Sequence, residues 1–269
     1  MKQPTFFIPH GGGPCFFMDP DDPDRVHSDP MWHPMQEYLA GLVAGLPERP
    51  TAILLVSGHW EAPVFTVHDG ARPPLLFDYY GFPAHTYALR WAAPGAPDVA
   101  HRAEVLLAGA GFEMGRENAR GWDHGVFIPM KVAVPEADIP LAQLSLRGDL
   151  DPAAHVAAGR ALAPLRDEGV LIVGSGMSVH NLRVRGEQAV VPATAWDEAL
   201  TAAVTDADPQ RRAERIIGWD RLPHAGFAHP REEHLLPLMV ALGAGGDDPA
   251  TLDHRSRMMG WTVSGYRFG

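Results

Sequence analysis

The run Ala52–Val56, AILLV, is apolar at every position, the pattern of a strand buried on both faces of a sheet. Ser57-Gly58 predicts its end, which leaves His59 at the carboxyl tip. The same order recurs at 170–180, where VLIV runs into Gly174-Ser175-Gly176 and His180 follows. It recurs at the start of the chain, where Thr5–Pro9 reads as a short strand leading to His10 and Gly11-Gly12-Gly13. Three strands that each deliver a histidine among glycines predict one site, at the carboxyl ends where open α/β sheets keep their ligands.

Helical spacing of Met35, Tyr38, Leu39, Leu42, Val43 and Leu46 predicts a helix ended by Pro47, and Val99, Ala103, Leu106, Leu107 and Ala110 predict another stopped at Gly111. Asp151-Pro152 starts a helix that Gly169 closes and Pro164 should kink. Helices are also predicted at Trp196–Thr205 and Gln210–Trp219, separated by Pro209, and at 230–242, where Pro237 demands a late start or a kink. Short strands are predicted at 64–67, 112–117 and 141–146, with Trp261–Phe268 as an edge strand. Three stretches read as loops: 11–30, rich in Gly, Pro and Asp; 72–97, carrying Phe77, Tyr79, Tyr80, Phe82 and Tyr87; and 118–125, holding Trp122-Asp123-His124. No repeat or linker divides the chain, so 1–269 is expected to be a single α/β domain with a central mixed sheet flanked by helices.

With 269 residues, 46% of them hydrophobic, the chain can bury a sizeable core. A formal charge of -11 argues against a nucleic-acid partner or an anionic membrane surface, and the basic patch Gln210–Arg215 reads as a solvated helix face. The lone Cys15 excludes an intramolecular disulfide, fits a reducing compartment and reads as a buried, inert thiol. No apolar run approaches the roughly 20 residues that span a bilayer, and the N-terminus does not read as a signal peptide, so a cytoplasmic protein is expected.

Fourteen histidines are the compositional oddity. Imidazole is the commonest protein ligand for Zn, Fe and Cu, and a metal site needs several such ligands held on rigid elements around one point. His10, His59 and His180 meet that demand if their strands are neighbours, and His234 in Arg231-Glu232-Glu233-His234 is the best further member, on a helix expected over the sheet edge. His124 reads as an acid, base or hydrogen-bond donor facing a substrate, or as a loop-stabilising residue. Trp60, Tyr80 and Phe82 are candidate walls for an aromatic ring, with ordinary packing as the alternative; His229 reads as support for the site or as part of a helix start. His27, His33, His68, His85, His101, His155, His224 and His254 read as solvated.

HGGGP from His10, SGHW at Ser57–Trp60, YGFP at Tyr80–Pro83, WDHG at Trp122–Gly125, SVHN at Ser178–Asn181 and REEHLLP at Arg231–Pro237 follow one another along nearly the whole chain. In that order they resemble the DODA-type (4,5-DOPA dioxygenase-like) branch of the class III, LigB-like extradiol ring-cleavage dioxygenases. The resemblance implies one α/β domain binding one divalent metal, with a catechol and O2 as reactants. It implies His10 and His59 as metal ligands, His234 where the protocatechuate branch has a carboxylate, His180 as a further ligand or the acid/base, and His124 facing the substrate. An all-histidine set suits Zn(II) as well as Fe(II), so Fe(II) is expected from the reaction and Zn(II) stays open as the bound metal. Glu232 or Glu233 could supply a carboxylate if the helix were rotated.

Unperturbed imidazoles near pH 6.5 would make activity collapse below roughly pH 6. Three other readings compete. A zinc-dependent hydrolase would use the same ligands, but the chain lacks H-E-x-x-H; an α/β-hydrolase, suggested by HGGG, lacks the outer glycines of its G-x-S-x-G elbow at Val173–Met177; a non-catalytic LigB-like binding scaffold would be expected to have lost the metal-binding histidines, whose matching positions are all filled here. No single Arg or Lys is assignable to a substrate side chain.

Overall fold

The three strands expected to deliver histidines lie side by side, with the strand expected at 141–146 beside them. In the computed structural model, which describes residues 2–18 and 30–269, one eight-stranded sheet runs through the chain. The chain order is β1 (Thr5–Pro9), α1 (His33–Ala44), β2 (Ala52–Ala62), β3 (Phe65–His68), α2 (Pro97–Gly109), β4 (Met114–Glu117), α3 (His124–Ala133) and β5 (Leu141–Arg147). It continues with α4 (Pro152–Leu162), α5 (Pro164–Asp167), β6 (Val170–Gly176), α6 (Glu187–Val204), α7 (Pro209–Ile217), α8 (Ala225–Ala228), α9 (Leu236–Gly245), β7 (Ala250–Met258) and β8 (Trp261–Phe268). The sheet order is β4-β3-β5-β2-β6-β1-β8-β7. β5, β2, β6 and β1 are mutually parallel, so their carboxyl ends share one edge; β8 and β7 join antiparallel.

Several expected boundaries move, each for a local reason. β2 does not stop at Ser57-Gly58: it continues to Ala62 through an irregularity in which Val56 and Glu61 face Leu144 and Leu146 of β5, so the extra residues bow outward around His59. Residues 124–133 form α3 rather than the end of a loop; eight of its ten residues are buried, which erases the amphipathic period. Pro164 breaks the expected helix into α4 and α5 instead of kinking it, and Pro209 opens α7 behind the Asp208 cap rather than merely separating two helices. Pro237 gives α9 the late start. Trp261–Phe268 is an interior strand, because β7, whose exposed positions carry Thr251, Asp253, Arg255 and Arg257, covers its outer side.

Two polar expectations are corrected by burial. His68, His155 and His254 are not solvated but lie in the interior, bonded to the Arg120 carbonyl, the Asp151 carbonyl and the Ser256 hydroxyl. Arg212 on the supposed solvated face of α7 is buried, donating to the carbonyls of Gly246 and Asp248. His33, His85, His101 and His224 are exposed; His27 and most of the expected 11–30 loop lie outside the described residues. Cys15 is buried. Among the described residues no helix is long and apolar enough to cross a membrane.

Candidate metal centre

The shared edge of the parallel strands is where the histidines meet. β1 and β6 pair with Pro9 opposite Gly176, and the His10 N–H donates to the Gly176 carbonyl, so His10 leaves the sheet directly above β6. α9 lies across the middle of the sheet, not its edge, and glycines permit this approach. A side chain on Gly174 would collide with the Pro237 carbonyl, one on Gly176 with that of His234, and one on Gly58 would crowd Glu233 and His234. The Met177 N–H donates to the His234 carbonyl, which pins His234 just before α9 over the strand tips.

The result is a convergence of three Nε2 atoms. His59 Nε2 is 3.2 Å from His10 Nε2 and 3.1 Å from His234 Nε2. The opposite nitrogens identify the tautomers. Ser175 Oγ gives its proton to the Gly125 carbonyl and therefore accepts from His10 Nδ1 at 3.1 Å. The Glu233 carboxylate accepts from His234 Nδ1 at 2.9 Å. Both Nε2 atoms are thereby lone pairs aimed at His59, whose own Nδ1 lies 3.7 Å from Asp78 Oδ2. A shared cation would satisfy all three: with metal–nitrogen bonds of about 2.1 Å, ligand nitrogens stand about 3.0 to 3.4 Å apart for octahedral to tetrahedral angles. The observed spacings fall inside that interval.

Burial, reinforced by the neighbouring imidazoles, pushes His10 and His234 well below the ordinary histidine range and His59 to about 4. Neutral imidazole is the form a metal requires. His180 stands slightly apart. Its ring stacks on His234 with centroids 3.4 Å apart, and its Nδ1 donates to the same Glu233 oxygen at 3.1 Å, so it groups with Glu233 and His234 rather than with the three-nitrogen point. Glu233 lies behind the three-nitrogen point and orients two imidazoles through one oxygen. Burial raises its carboxyl, yet the His180 hydrogen bond and further interactions outweigh that and leave it lowered.

His124 opens α3 with its ring centroid 3.9 Å from that of His59. Asp78 Oδ1 accepts both its backbone N–H at 2.9 Å and its Nδ1 at 2.8 Å, leaving Nε2 as the free acceptor. In the sequence Ser175 figures only beside the glycines of 174–176 and in the incomplete elbow, and Asp78 carries no assigned role. The only signal for Asp78 was its place in FDYYGFP, within a loop that has no period. Asp123, buried before α3, accepts from Ser57 Oγ at 2.7 Å, Gln143 Nε2 at 2.7 Å and Arg120 Nη2 at 3.2 Å, and so ties the loop to β2 and β5.

A cavity of about 210 Å³ opens over this cluster, lined by the five histidines, by Trp32, Met177 and Trp261, and by Arg185 at its side. The aromatic walls are not those expected. Trp60 is buried under Arg120, 5.4 Å from its ring, and Tyr80 is 91% exposed; neither lines the cavity. Phe82 packs against Gly13, which does line it. His229 lies among Trp196 and Trp219 with Nε2 donating to the Ser178 carbonyl, behind the site.

Residues 4–269 match the family described as the catalytic LigB subunit of aromatic ring-opening dioxygenase. The chain is 38% identical to a 4,5-DOPA dioxygenase extradiol of Beta vulgaris, with 94% of this chain and 91% of that one covered. It is 36% identical to a protein of the same name from Escherichia coli K12, covering 96% and 92%, and 36% identical to a dioxygenase, tasH, of Hapsidospora irregularis, covering 99% and 85%. A solved structure of an uncharacterised Escherichia coli K12 protein superposes with a TM-score of 0.76 at 31% identity over 99% of this chain and all of that one. A match over almost the whole length, with the histidines gathered at one edge of the sheet, establishes that the chain belongs to the LigB family and is a non-haem, extradiol ring-cleaving dioxygenase.

Proposed function

We propose that 1–269 act as one catalytic domain that opens a DOPA-like catechol with O2, using Fe(II) held by His10, His59 and His234. The observation that carries this reading is the convergence of three Nε2 atoms whose Nδ1 sides face Ser175, Asp78 and Glu233. Bound there, iron would supply a Lewis-acid contact for the catechol oxygens and the redox link to dioxygen. Zn(II) fits the same donors and would bind without supplying that redox link.

The remaining histidines move protons. His124, with Nδ1–H committed to Asp78, presents Nε2 to the cavity and takes the proton that a catechol hydroxyl loses on binding. His180, with Nδ1–H committed to Glu233, presents Nε2 from the His234 side and serves the second proton step, as the O–O bond breaks. We assign it that acid/base role rather than a ligand's. Trp32, Met177 and Trp261 exclude water from the ring. A cavity of about 210 Å³ compares with the roughly 150 Å³ that holds benzene in an engineered protein core, and so suits one ring with a short side chain. The relatives named for 4,5-DOPA support a substrate of that size.

The test is anaerobic loading with Fe(II), then a panel of catechols with O2 readmitted. The expected result is one O2 consumed per ring opened, about one iron per chain, no turnover with zinc, and a loss of at least about a thousandfold in His59→Ala together with its metal. Ring opening that persisted in His59→Ala would overturn the assignment.

A further inference from the structure

Arg185 is the only permanently charged side chain lining the cavity among the described residues. Among the described residues it makes no ion pair with an Asp or Glu, and its guanidinium lies over the Trp261 ring, 6.0 Å from the centroid. Its loop is held in place. The Gly186 N–H donates to the Met259 carbonyl at 2.7 Å, and the Trp261 indole N–H donates to the Val184 carbonyl at 2.8 Å. At the other end Asn181 donates to the Phe227 carbonyl and accepts from the Arg183 N–H. Gly186 and Gly260 adopt φ of 73° and 84°, and a side chain at Gly260 would collide with the Gly186 carbonyl, so the loop and the β7–β8 turn touch through their backbones.

A guanidinium on a pinned loop, without a carboxylate partner among the described residues and beside a cavity whose other described walls are neutral or imidazole side chains, is a receptor for an anion brought by the ligand. We propose that Arg185 anchors a carboxylate on the substrate's side chain, and that the enzyme thereby selects acidic catechols over neutral or cationic ones. This rests on reading the cavity as the catechol site. The ring faces the histidines, and the side chain runs toward Leu182, Met259 and Trp261, where the planar fork can grip both carboxylate oxygens. Arg185 is exposed, so its attraction is moderated by solvent, and a preference of about tenfold is expected rather than a thousandfold.

The experiment compares a catechol bearing a propionate side chain, its methyl ester and the matching propylamine. Anaerobic calorimetry reads binding, and oxygen uptake of the iron-loaded enzyme reads turnover. Wild type should bind the acid about tenfold more tightly than the ester, with the difference in KM rather than kcat. Arg185→Gln should bring the acid-to-ester ratio close to one, Arg185→Lys should keep part of it, and Arg185→Glu should turn the preference toward the amine. An unchanged ratio in Arg185→Gln, or a wild type that does not distinguish acid from ester, overturns the proposal. Arg185-dependent preference for the acid without ring opening would keep the anchor and sink the proposed DOPA-like substrate and Fe(II) assignment instead.

Discussion

Asp78 and Glu233 share the orientation of the site between them, and they do so for different atoms. Asp78 holds His124 twice, through the backbone and through Nδ1, and burial's upward push on its carboxyl is outweighed by those bonds, which leave it lowered. Glu233 holds His234 and His180 through one oxygen. Asp78→Ala should therefore lower kcat by about 10–100-fold with metal content nearly kept, because it frees the His124 tautomer, whereas Glu233→Gln should weaken metal affinity by about 10–100-fold. Steady-state kinetics beside metal titration separate the two, and equal loss of metal in both variants would show that Asp78 serves the metal point as well. The histidines themselves were legible because each lies beside glycines at the end of an apolar run or at the start of a helix. Their acceptors were not, since Ser175 and Asp78 gain meaning only when the tertiary fold sets them behind an imidazole. Trp60 falls outside the cavity because β2 runs on past His59, and neighbours on a strand point to opposite faces.

The site exists because α9 can press its N-terminal turn onto strands that carry no side chains there. Gly174 and Gly176 of β6 are placed against the carbonyls of Pro237 and His234, so these glycines are spacers and not turn residues. Gly176→Ala must push His234 outward. The expected cost is about 1–3 kcal/mol of stability, as for overpacked cores, with metal affinity falling more steeply than the thermal midpoint because His234 is displaced directly. Denaturation and metal stoichiometry on the same preparation check this; a variant that lost stability but kept its metal would place the strain elsewhere. At this scale the apolar strands and the proline-started helices were legible from pattern. α3 and β7 were not: one is buried all round and includes Pro129, and the other hides its alternation among charged residues. Asp123, the residue before α3, does not cap it, because its carboxylate is already engaged by Ser57, Gln143 and Arg120.

Across the whole molecule, burial holds imidazoles neutral both in the site and far from it. His59, His155 and His229 are each lowered to about 4, chiefly by desolvation, while the unfolded chain titrates near 6.5. Their folded values are depressed, so between those limits the unfolded state binds more protons, and acid favours it. The stability present above pH 6.5 is lost as pH falls toward 4, at up to about 1.4 kcal/mol per pH unit for each imidazole. Exposed carboxylates protonate mainly below about pH 4.5, and relief of the chain's negative charge comes with them, so the upper part of the window belongs to histidine. The metal-free protein should therefore show a flat thermal midpoint from pH 8 to about 7 and a steady fall from about 6.5 to 5. A collapse of activity at pH 6 does not follow from these ligands, because a depressed imidazole keeps its lone pair at that acidity. Loss of metal should instead track unfolding at lower pH, and thermal scans of metal-free and loaded protein across the range measure both. A midpoint unchanged between pH 6.5 and 5 would mean that solvent protons reach these imidazoles in the folded state.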